Sequence, residues 1–425
     1  MIAGPALTGV VLTVALTAPQ AASALPGANP GLVTCPPQIS KVGVPVQFDV
    51  LDGESGSGYD GTIAAGSLPD GLSLTKAANQ TPKITGTPTK VGSYPFTMQF
   101  RNNVGGFGEK SCVADIVPTT SIVERIDGDT RYEAAANIAL QVAPGTAAVV
   151  YIASGENYSD ALSASAIAAQ RGAPLVLARS TTLPNYVYNV VNHFDPAHIV
   201  VVGGESTLKP ELIEQLQDMR NNATVTRIGG ADRFAVSRNL ISNPMFGAMA
   251  STNIYVASGL KFPDALSASP AAAKVKTPVL LVNGEATALS AEEKALLTSR
   301  GVTASTVFGG EDTLSAGLAT DLKTTTGAVT RIDGDDRFAV SANITAAHFT
   351  GPIDTVYFAT GANYPDALAG GVLAGVKTAP VLLTRKSCVT SDVAAQVRAL
   401  KPKHIVLLGG PATLDANLEN LPACS

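Results

Sequence analysis

Tryptophan is absent from the 425 residues, and histidine occurs only four times, first at His193. Few imidazoles leave few side chains that change charge near neutral pH, and no His/Cys/Glu cluster has the spacing of a metal site. Charged residues reach only 15%, against about 25% in an average soluble domain. The formal net charge is −5 and no dense Lys/Arg run occurs, which excludes a nucleic-acid binder, because that affinity rests on neutralising phosphates. Isolated cationic sites for an acidic polymer stay compatible with this balance. A Gly-x-Ser-x-Gly elbow and a Walker loop are both missing, and no Cys pair has the C-x-x-C spacing of a zinc or redox site. The sequence therefore predicts no catalytic centre, no metal and no cofactor. Beyond residue 24 there is no apolar run long enough to span a bilayer and no sorting-signal tail, so retention at a surface would be non-covalent.

What is present begins with an export signal. Leu7 to Ala18 is apolar and Ala22-Ser23-Ala24 is an A-x-A cleavage site. The run is too short for a bilayer, which needs about 20 residues. No Lys or Arg precedes it, which points to a start codon further upstream. Residues 1–24 are expected to be a signal peptide, residues 25–34 a linker, and the mature chain a secreted protein of the cell surface. The four cysteines agree with export. Cys35 and Cys112 bracket one segment, and Cys388 and Cys424 another. The pairings Cys35–Cys112 and Cys388–Cys424 suit an oxidising exterior, whereas the other two connectivities would tie separate domains together.

Residues 35–118 read as all-β. Val44, Val46, Phe48 and Val50 alternate with other residues, as do Tyr94, Phe96, Met98 and Phe100. Turn signals at Asp52-Gly53, Pro69-Asp70-Gly71 and Gly86-Thr87-Pro88 separate the runs. A sandwich closed by a disulfide is the expected outcome. The stretch from Leu68 to Leu74, with Ile84 to Pro88 and Val91 to Tyr94, resembles bacterial immunoglobulin-like domains.

From about residue 122 the chain repeats itself. Arg125-Ile126-Asp127-Gly128 recurs at Arg227 and Arg331, 102 and then 104 residues on. Ala153-Ser154-Gly155 through Leu162 recurs at Ala257 and Ala359, and Val202-Gly203-Gly204 recurs at Phe308 and Leu408. The expected units are 122–222, 223–326 and 327–425. In the first, Ala148–Ala153, Pro174–Ala178 and His198–Val202 read as strands buried on both faces. Asp160–Gln170, Leu183–Phe194 and Pro210–Met219 read as helices, the last with Pro at its first position. Alternation of this kind predicts a parallel sheet covered by helices on both faces.

Ligands of open α/β sheets sit beyond the strand C-termini, and two repeated loops fall there. Gly203-Gly204 with Thr207, Gly309-Gly310 with Thr313 and Gly409-Gly410 with Thr413 either form anion cradles with outward N–H groups or tight turns capped by Thr. Asp160, Asp264 and Asp366 stand at a helix start, as structural caps favoured by the dipole or as acceptors for a sugar hydroxyl. None has the second carboxylate that most glycosidases need. Arg131, Arg233 and Arg337 precede Asn137, Asn239 and Asn343, and either grip a phosphate or carboxylate or bridge internally, to the repeated Asp for example. Tyr158, Phe262 and Tyr364 fit core packing or sugar stacking. His198 and His404 correspond, but Ala304 takes that place in the second repeat.

Arg-Ile-x-Gly-x-x-Arg-[Tyr/Phe], the Ser/Thr-Gly-x-x-[Tyr/Phe]-x-Asp-Ala-Leu loop, the strands at Pro174-Leu175, Pro278-Val279 and Pro380-Val381, and the Gly-Gly-x-x-Thr-Leu turn together resemble the cell wall binding repeat 2 family, over about residues 122–424. Repeat one has Ser159 where the others have Pro263 and Pro365, and repeat two has Gly229 where the others have Asp. The resemblance implies three tandem Rossmann-like units packed as a pseudo-trimer. It also implies non-covalent attachment to a Gram-positive wall through an anionic secondary polymer, teichoic-acid-like, or through peptidoglycan itself. Three linked weak sites suffice when they share one long ligand. An attachment module that displays the β-domain is the expected role. A wall hydrolase and a laterally packed surface-layer subunit are the competing readings. The N-terminal domain's partner is not legible.

Overall fold

The computed structural model describes residues 35, 39–50, 59–76, 82–102, 107–117, 122–143, 145, 147–219 and 223–424. The expected signal peptide and linker lie outside them. The N-terminal part carries two β-sheets. One runs in the order Ile39–Lys41, Phe107–Val117, Gly92–Asn102, Tyr59–Gly66, with its first pair parallel and the rest antiparallel. The other is antiparallel, in the order Val46–Asp49, Lys83–Gly86, Leu72–Thr75. Phe96, Met98 and Phe100 point inward with the expected period of two and share a core with Ile84, Cys112 and Ala114. Cys35 and Cys112 are bonded across it.

Each repeat builds a four-stranded parallel sheet. In the first the order is Leu175–Ala178, Val149–Ser154, His198–Val202, Thr224–Ile228. Six elements read from the sequence reappear here with ends shifted by two residues or fewer, among them the helices Ser159–Gln170, Asn185–Phe194 and Pro210–Gln217. Strands such as Val279–Val282 are buried along their whole length, so the apolar runs need no alternation. Two elements of each repeat have no counterpart in the sequence reading. One is the helix opened by the repeated Arg: Arg131–Ala139, Arg233–Ser242 and Arg337–His348. Its N-cap is Thr130, Asp232 or Asp336, whose side chain accepts from backbone N–H groups of the first turn. The other is the strand carrying the Arg-Ile motif.

That strand does not complete the sheet of its own repeat. Thr224–Ile228 pairs with His198–Val202 of repeat one, and Ala328–Ile332 pairs with Ala304–Phe308 of repeat two. Ile122–Ile126, at the start of repeat one, pairs with His404–Leu408 of repeat three. Each sheet thus borrows its fourth strand from the next repeat, and the third borrowing closes a ring. Cys388 and Cys424 fasten the last loop, assisted by the Cys424 N–H donating to the Val389 carbonyl at 2.9 Å.

Inside the ring the helices Ser159–Gln170, Pro263–Lys274 and Pro365–Val376 pack on one another. Equivalent positions meet there. A Cβ built on Gly371 would lie 3.0 Å from Ser165 Oγ and 3.4 Å from Ser269 Cβ, and one on Gly375 would lie 2.7 Å from Ala169 Cβ and 2.8 Å from Ala273 Cβ. Small residues let three backbones approach one axis. No helix among the described residues is long and apolar enough to cross a membrane.

Candidate functional site

The axis is capped by three rings. Tyr158, Phe262 and Tyr364 form a triangle with centroid separations of 5.6, 5.4 and 5.6 Å, edge-on or tilted as ring quadrupoles prefer. The Tyr158 hydroxyl donates to the Leu260 carbonyl of repeat two at 2.8 Å, and the Tyr364 hydroxyl to the Glu156 carbonyl of repeat one at 3.3 Å. These half-buried aromatics therefore join repeats.

Arg131, Arg233 and Arg337 lie around this triangle. Each donates Nη1 to a carbonyl of its own repeat's first loop: Gly155 (2.7 Å), Gly259 (2.8 Å) and Gly361 (2.5 Å). Each also stands over the aromatic of the preceding repeat, Arg233 over Tyr158 at 5.4 Å, Arg337 over Phe262 at 5.9 Å and Arg131 over Tyr364 at 6.0 Å. The expected bridge to the repeated Asp is replaced by carbonyl and ring contacts. The field of these cations still reaches an Asp, that of the preceding repeat. Asn137, Asn239 and Asn343 donate to the carbonyls of Asp127, Gly229 and Asp333 and so pin the Arg-Ile-x-Gly turn.

The repeated Asp is not a helix cap. Tyr158, Phe262 and Tyr364 hold the cap positions without a side-chain bond, and the carboxyl turns across to the Gly-Gly loop. Asp160 Oδ2 accepts from Thr207 Oγ1 at 2.9 Å, and Asp366 Oδ2 from Thr413 Oγ1 at 3.4 Å. This contact explains the first glycine of the pair. Gly203 has φ +131°, Gly309 +104° and Gly409 +108°, and a Cβ there would strike the Asp carboxylate. Of the two alternatives, the capped turn is seen where Thr207 and Thr413 Oγ1 donate to the Gly204 and Gly410 carbonyls at 3.0 and 2.9 Å, and the outward-facing N–H fails for the first glycine of each pair. Its N–H extends the parallel ladder, to Ile228, Ile332 or Ile126, each at 2.9 Å.

Arg125, Arg227 and Arg331 were visible as repeats but not as site residues. Each reaches from the borrowed strand to the carbonyl of that first glycine: Gly409 (2.7 Å), Gly203 (2.9 Å) and Gly309 (2.5 Å). Arg125 adds Leu414 at 3.0 Å, and Arg331 adds Leu314 at 2.9 Å.

These contacts leave a cleft between consecutive repeats, walled by the first loop, the Gly-Gly turn and the next repeat's Arg turn. Between repeats two and three it is a cavity of about 530 Å³ lined by Asp264, Gly310, Thr313, Arg337 and the Tyr158 and Phe262 rings among others. Between repeats one and two, Asp160, Gly204, Thr207 and Arg233 line about 200 Å³. Asp160, Asp264 and Asp366 are 3%, 7% and 7% exposed. Burial pushes all three carboxyls up, Asp264 and Asp366 to about 6. A carboxyl whose native pKa is raised favours folding below its unfolded pKa, near 4, and that contribution is lost as pH rises through about 6. Asp264→Asn is therefore expected to stabilise the chain by about 2 kcal/mol at pH 7.5 and by little at pH 4. Denaturant unfolding at the two pH values measures this, and equal effects at both would contradict it.

A family profile described as Cell wall binding domain 2 (CWB2) matches residues 125–213, 227–319 and 331–419. The chain is 26% identical over 308 residues to the N-acetylmuramoyl-L-alanine amidase LytC of Bacillus subtilis (strain 168), covering 72% of this chain and 59% of that one. It is 25% identical over 303 residues to the Amidase enhancer of the same organism, covering 71% and 40%. It thus spans about half the length of these relatives. Among solved structures, Cwp6 from Clostridium difficile superposes with a TM-score of 0.64 at 18% identity, over 91% of this chain and 67% of that one. Cwp8 from the same organism gives 0.61 at 21%, over 85% and 62%. At these identities the likeness is one of fold.

Proposed function

Because the chain belongs to the cell wall binding domain 2 (CWB2) family, we propose that it is a secreted, non-enzymatic attachment protein that holds wall polymer in the clefts between its repeats. The observation that carries this reading is the recurrence, at each junction, of an Arg that commits only Nη1 to a carbonyl or Tyr hydroxyl among the described residues, beside a buried carboxyl and an aromatic ring. Free guanidinium N–H groups suit phosphate or carboxylate oxygens, carboxylates accept from sugar hydroxyls, and the ring edge offers an apolar surface to a pyranose. An anionic, teichoic-acid-like polymer fits the arginines despite the chain's net negative charge, since recognition is local. One long polymer engaging several junctions gains by effective concentration. The N-terminal β-region is read as an immunoglobulin-like display domain, linked to repeat three by Arg398 and Asp115 at 2.6 Å.

The test is sedimentation of the protein with purified walls, before and after stripping secondary polymer, across a salt series. Binding that weakens with salt and disappears on stripping is expected. Replacing Arg131, Arg233 and Arg337 together by Gln is expected to weaken binding by about tenfold or more, the loss compounding over linked sites. Full binding by that triple variant, folded by circular dichroism, would refute the assignment of the arginines. Binding unchanged by stripping would make peptidoglycan the ligand.

A further inference from the structure

The junction clefts are not equivalent, and the difference is electrostatic. Around the cavity between repeats two and three stand five carboxylates, Asp264, Glu311, Asp312, Asp335 and Asp336. None forms an ion pair within 4 Å among the described residues. The two cations that line it, Lys261 and Arg337, donate to the Asp312 and Gly361 carbonyls, each at 2.5 Å, and reach Asp264 through their field alone, so the carboxylates outnumber them. Asp336 spends one oxygen on capping its helix.

Asp264 is the second observation. It is only 7% exposed, yet it lines the cavity and has no hydrogen-bond partner among the described residues. Its counterparts Asp160 and Asp366 are held by Thr207 and Thr413, whereas Thr313 makes no such bond to Asp264. A largely buried carboxylate with no hydrogen bond, its desolvation offset only by the field of Arg337 and Lys261, is costly and is relieved by a ligand that brings both positive charge and N–H donors. Two surrounding features narrow the choice. The cavity is several times too large for a bare ion, and no group of three or more metal-ligating side chains gathers among the described residues. The Phe262 and Tyr158 rings, over which Arg337 and Arg233 already stand, add a partly apolar wall that suits the carbon skeleton of an organic ligand.

We propose that the cleft between repeats two and three receives a primary ammonium group carried on the wall polymer, with Asp264 as its principal acceptor. The amine belongs either to an unacetylated amino sugar or to an aminoacyl ester on the polymer. The inference rests on the reading that the junction clefts hold wall polymer. It makes the polymer one that presents both signs of charge, anionic groups to the arginines and an amine to this cleft.

Binding of the full chain is measured on untreated walls, on walls N-acetylated with acetic anhydride, and on walls freed of ester-linked amino acids by mild alkali. N-acetylation is expected to weaken binding by about tenfold or more, the equivalent of one charge-assisted contact. Loss on alkali treatment as well assigns the amine to an aminoacyl ester; loss on N-acetylation alone assigns it to an amino sugar. Asp264→Asn is expected to weaken binding to untreated walls by the same factor and to leave binding to N-acetylated walls unchanged, since the two changes remove one interaction. Asp160→Asn, in the cleft whose carboxyl is already bonded, is expected to be indifferent to acetylation. Firm binding that neither N-acetylation nor Asp264→Asn alters would overturn the amine inference while leaving wall attachment standing. No binding to any wall would remove both.

Discussion

Leucine in place of Gly375 is expected to cost the ring about 3 kcal/mol or more, the upper end of what overpacking exacts. Gly375 occupies the same helical position as Ala169 and Ala273, and a Cβ added to it would lie 2.7 and 2.8 Å from their methyl groups. Those methyls are fixed to the backbones of two other helices, so no flexible side chain can swing aside. The clash is relieved only by moving a helix, and that would pull on the sheets of all three repeats. Gly371, one turn nearer the aromatic triangle, provides the contrast. Its added Cβ would meet Ser165 Oγ at 3.0 Å and Ser269 Cβ at 3.4 Å, and alanine gains about 1 kcal/mol over glycine in a helix interior. Gly371→Ala should be neutral or slightly stabilising, Gly375→Ala destabilising, and Gly375→Leu severely so. Thermal unfolding of the three variants checks the order, and a Gly375→Leu protein that unfolds with the unaltered chain would show that the axis is loosely packed.

The axial stripe also shows how much of this molecule was legible. Tyr158, Ser165 and Ala169 are separated by seven and then four residues, and the same spacing recurs at Phe262, Ser269, Ala273 and at Tyr364, Gly371, Gly375. That is a helix-seam period, readable in the chain, although the composition suggested only an Ala-rich helix. The buried strands and their alternating helices were legible because their apolar runs are long and uniform. The helix at Arg131 was not, since it mixes Arg, Glu and Asn with alanine and lacks a continuous apolar face. The strand at Thr224–Ile228 was missed because it is partly exposed and carries Arg227. Its partner in another repeat is a tertiary fact that no local pattern encodes. At the candidate site, the sequence placed the repeated loops beyond the strand ends and left open whether their groups pack internally or bind; the Thr207 and Thr413 hydroxyls donate to the Gly204 and Gly410 carbonyls, as the capped-turn alternative requires. Repetition of Asp160 and Gly203 in three copies marks a shared constraint, and only the fold reveals that the two residues constrain each other.

The strand Ile122–Ile126 is expected to be the first part of the ring to open. Its hydrogen-bonding register on His404–Leu408 matches that of Thr224–Ile228 and Ala328–Ile332 on their partners, so local chemistry gives no reason for a difference. Chain connectivity does. The clamp from Arg227 to Gly203 spans 24 residues and that from Arg331 to Gly309 spans 22, whereas Arg125 reaches Gly409 across 284. Closing the longer loop costs about 2 kcal/mol more by chain-length entropy, and that difference favours release at this seam. Two charged contacts hold the seam against it, of which only Arg398–Asp115 has no counterpart at the other two seams among the described residues. Arg125 donates to the carbonyls of Gly409 and Leu414, and Arg398 holds the fully buried Asp115 of the N-terminal region against repeat three. Arg125→Ala should cost about 3 kcal/mol, since hydrogen bonds from a charged donor contribute about 1.5–3 kcal/mol each. Arg398→Ala leaves Asp115 without its cation and should cost about 3–5 kcal/mol of docking. Both variants should hasten amide exchange in Ile122–Ile126, and Arg227→Ala should not. A pull on the N-terminal region reaches the ring through this strand, seven residues beyond Asp115, so such a load is met first by the Asp115–Arg398 contact and only then by the closing strand. Equal exchange protection of the three borrowed strands in the unaltered chain would mean that the N-terminal region fully offsets the entropy of the long loop; Arg398→Ala would then be the variant that exposes it.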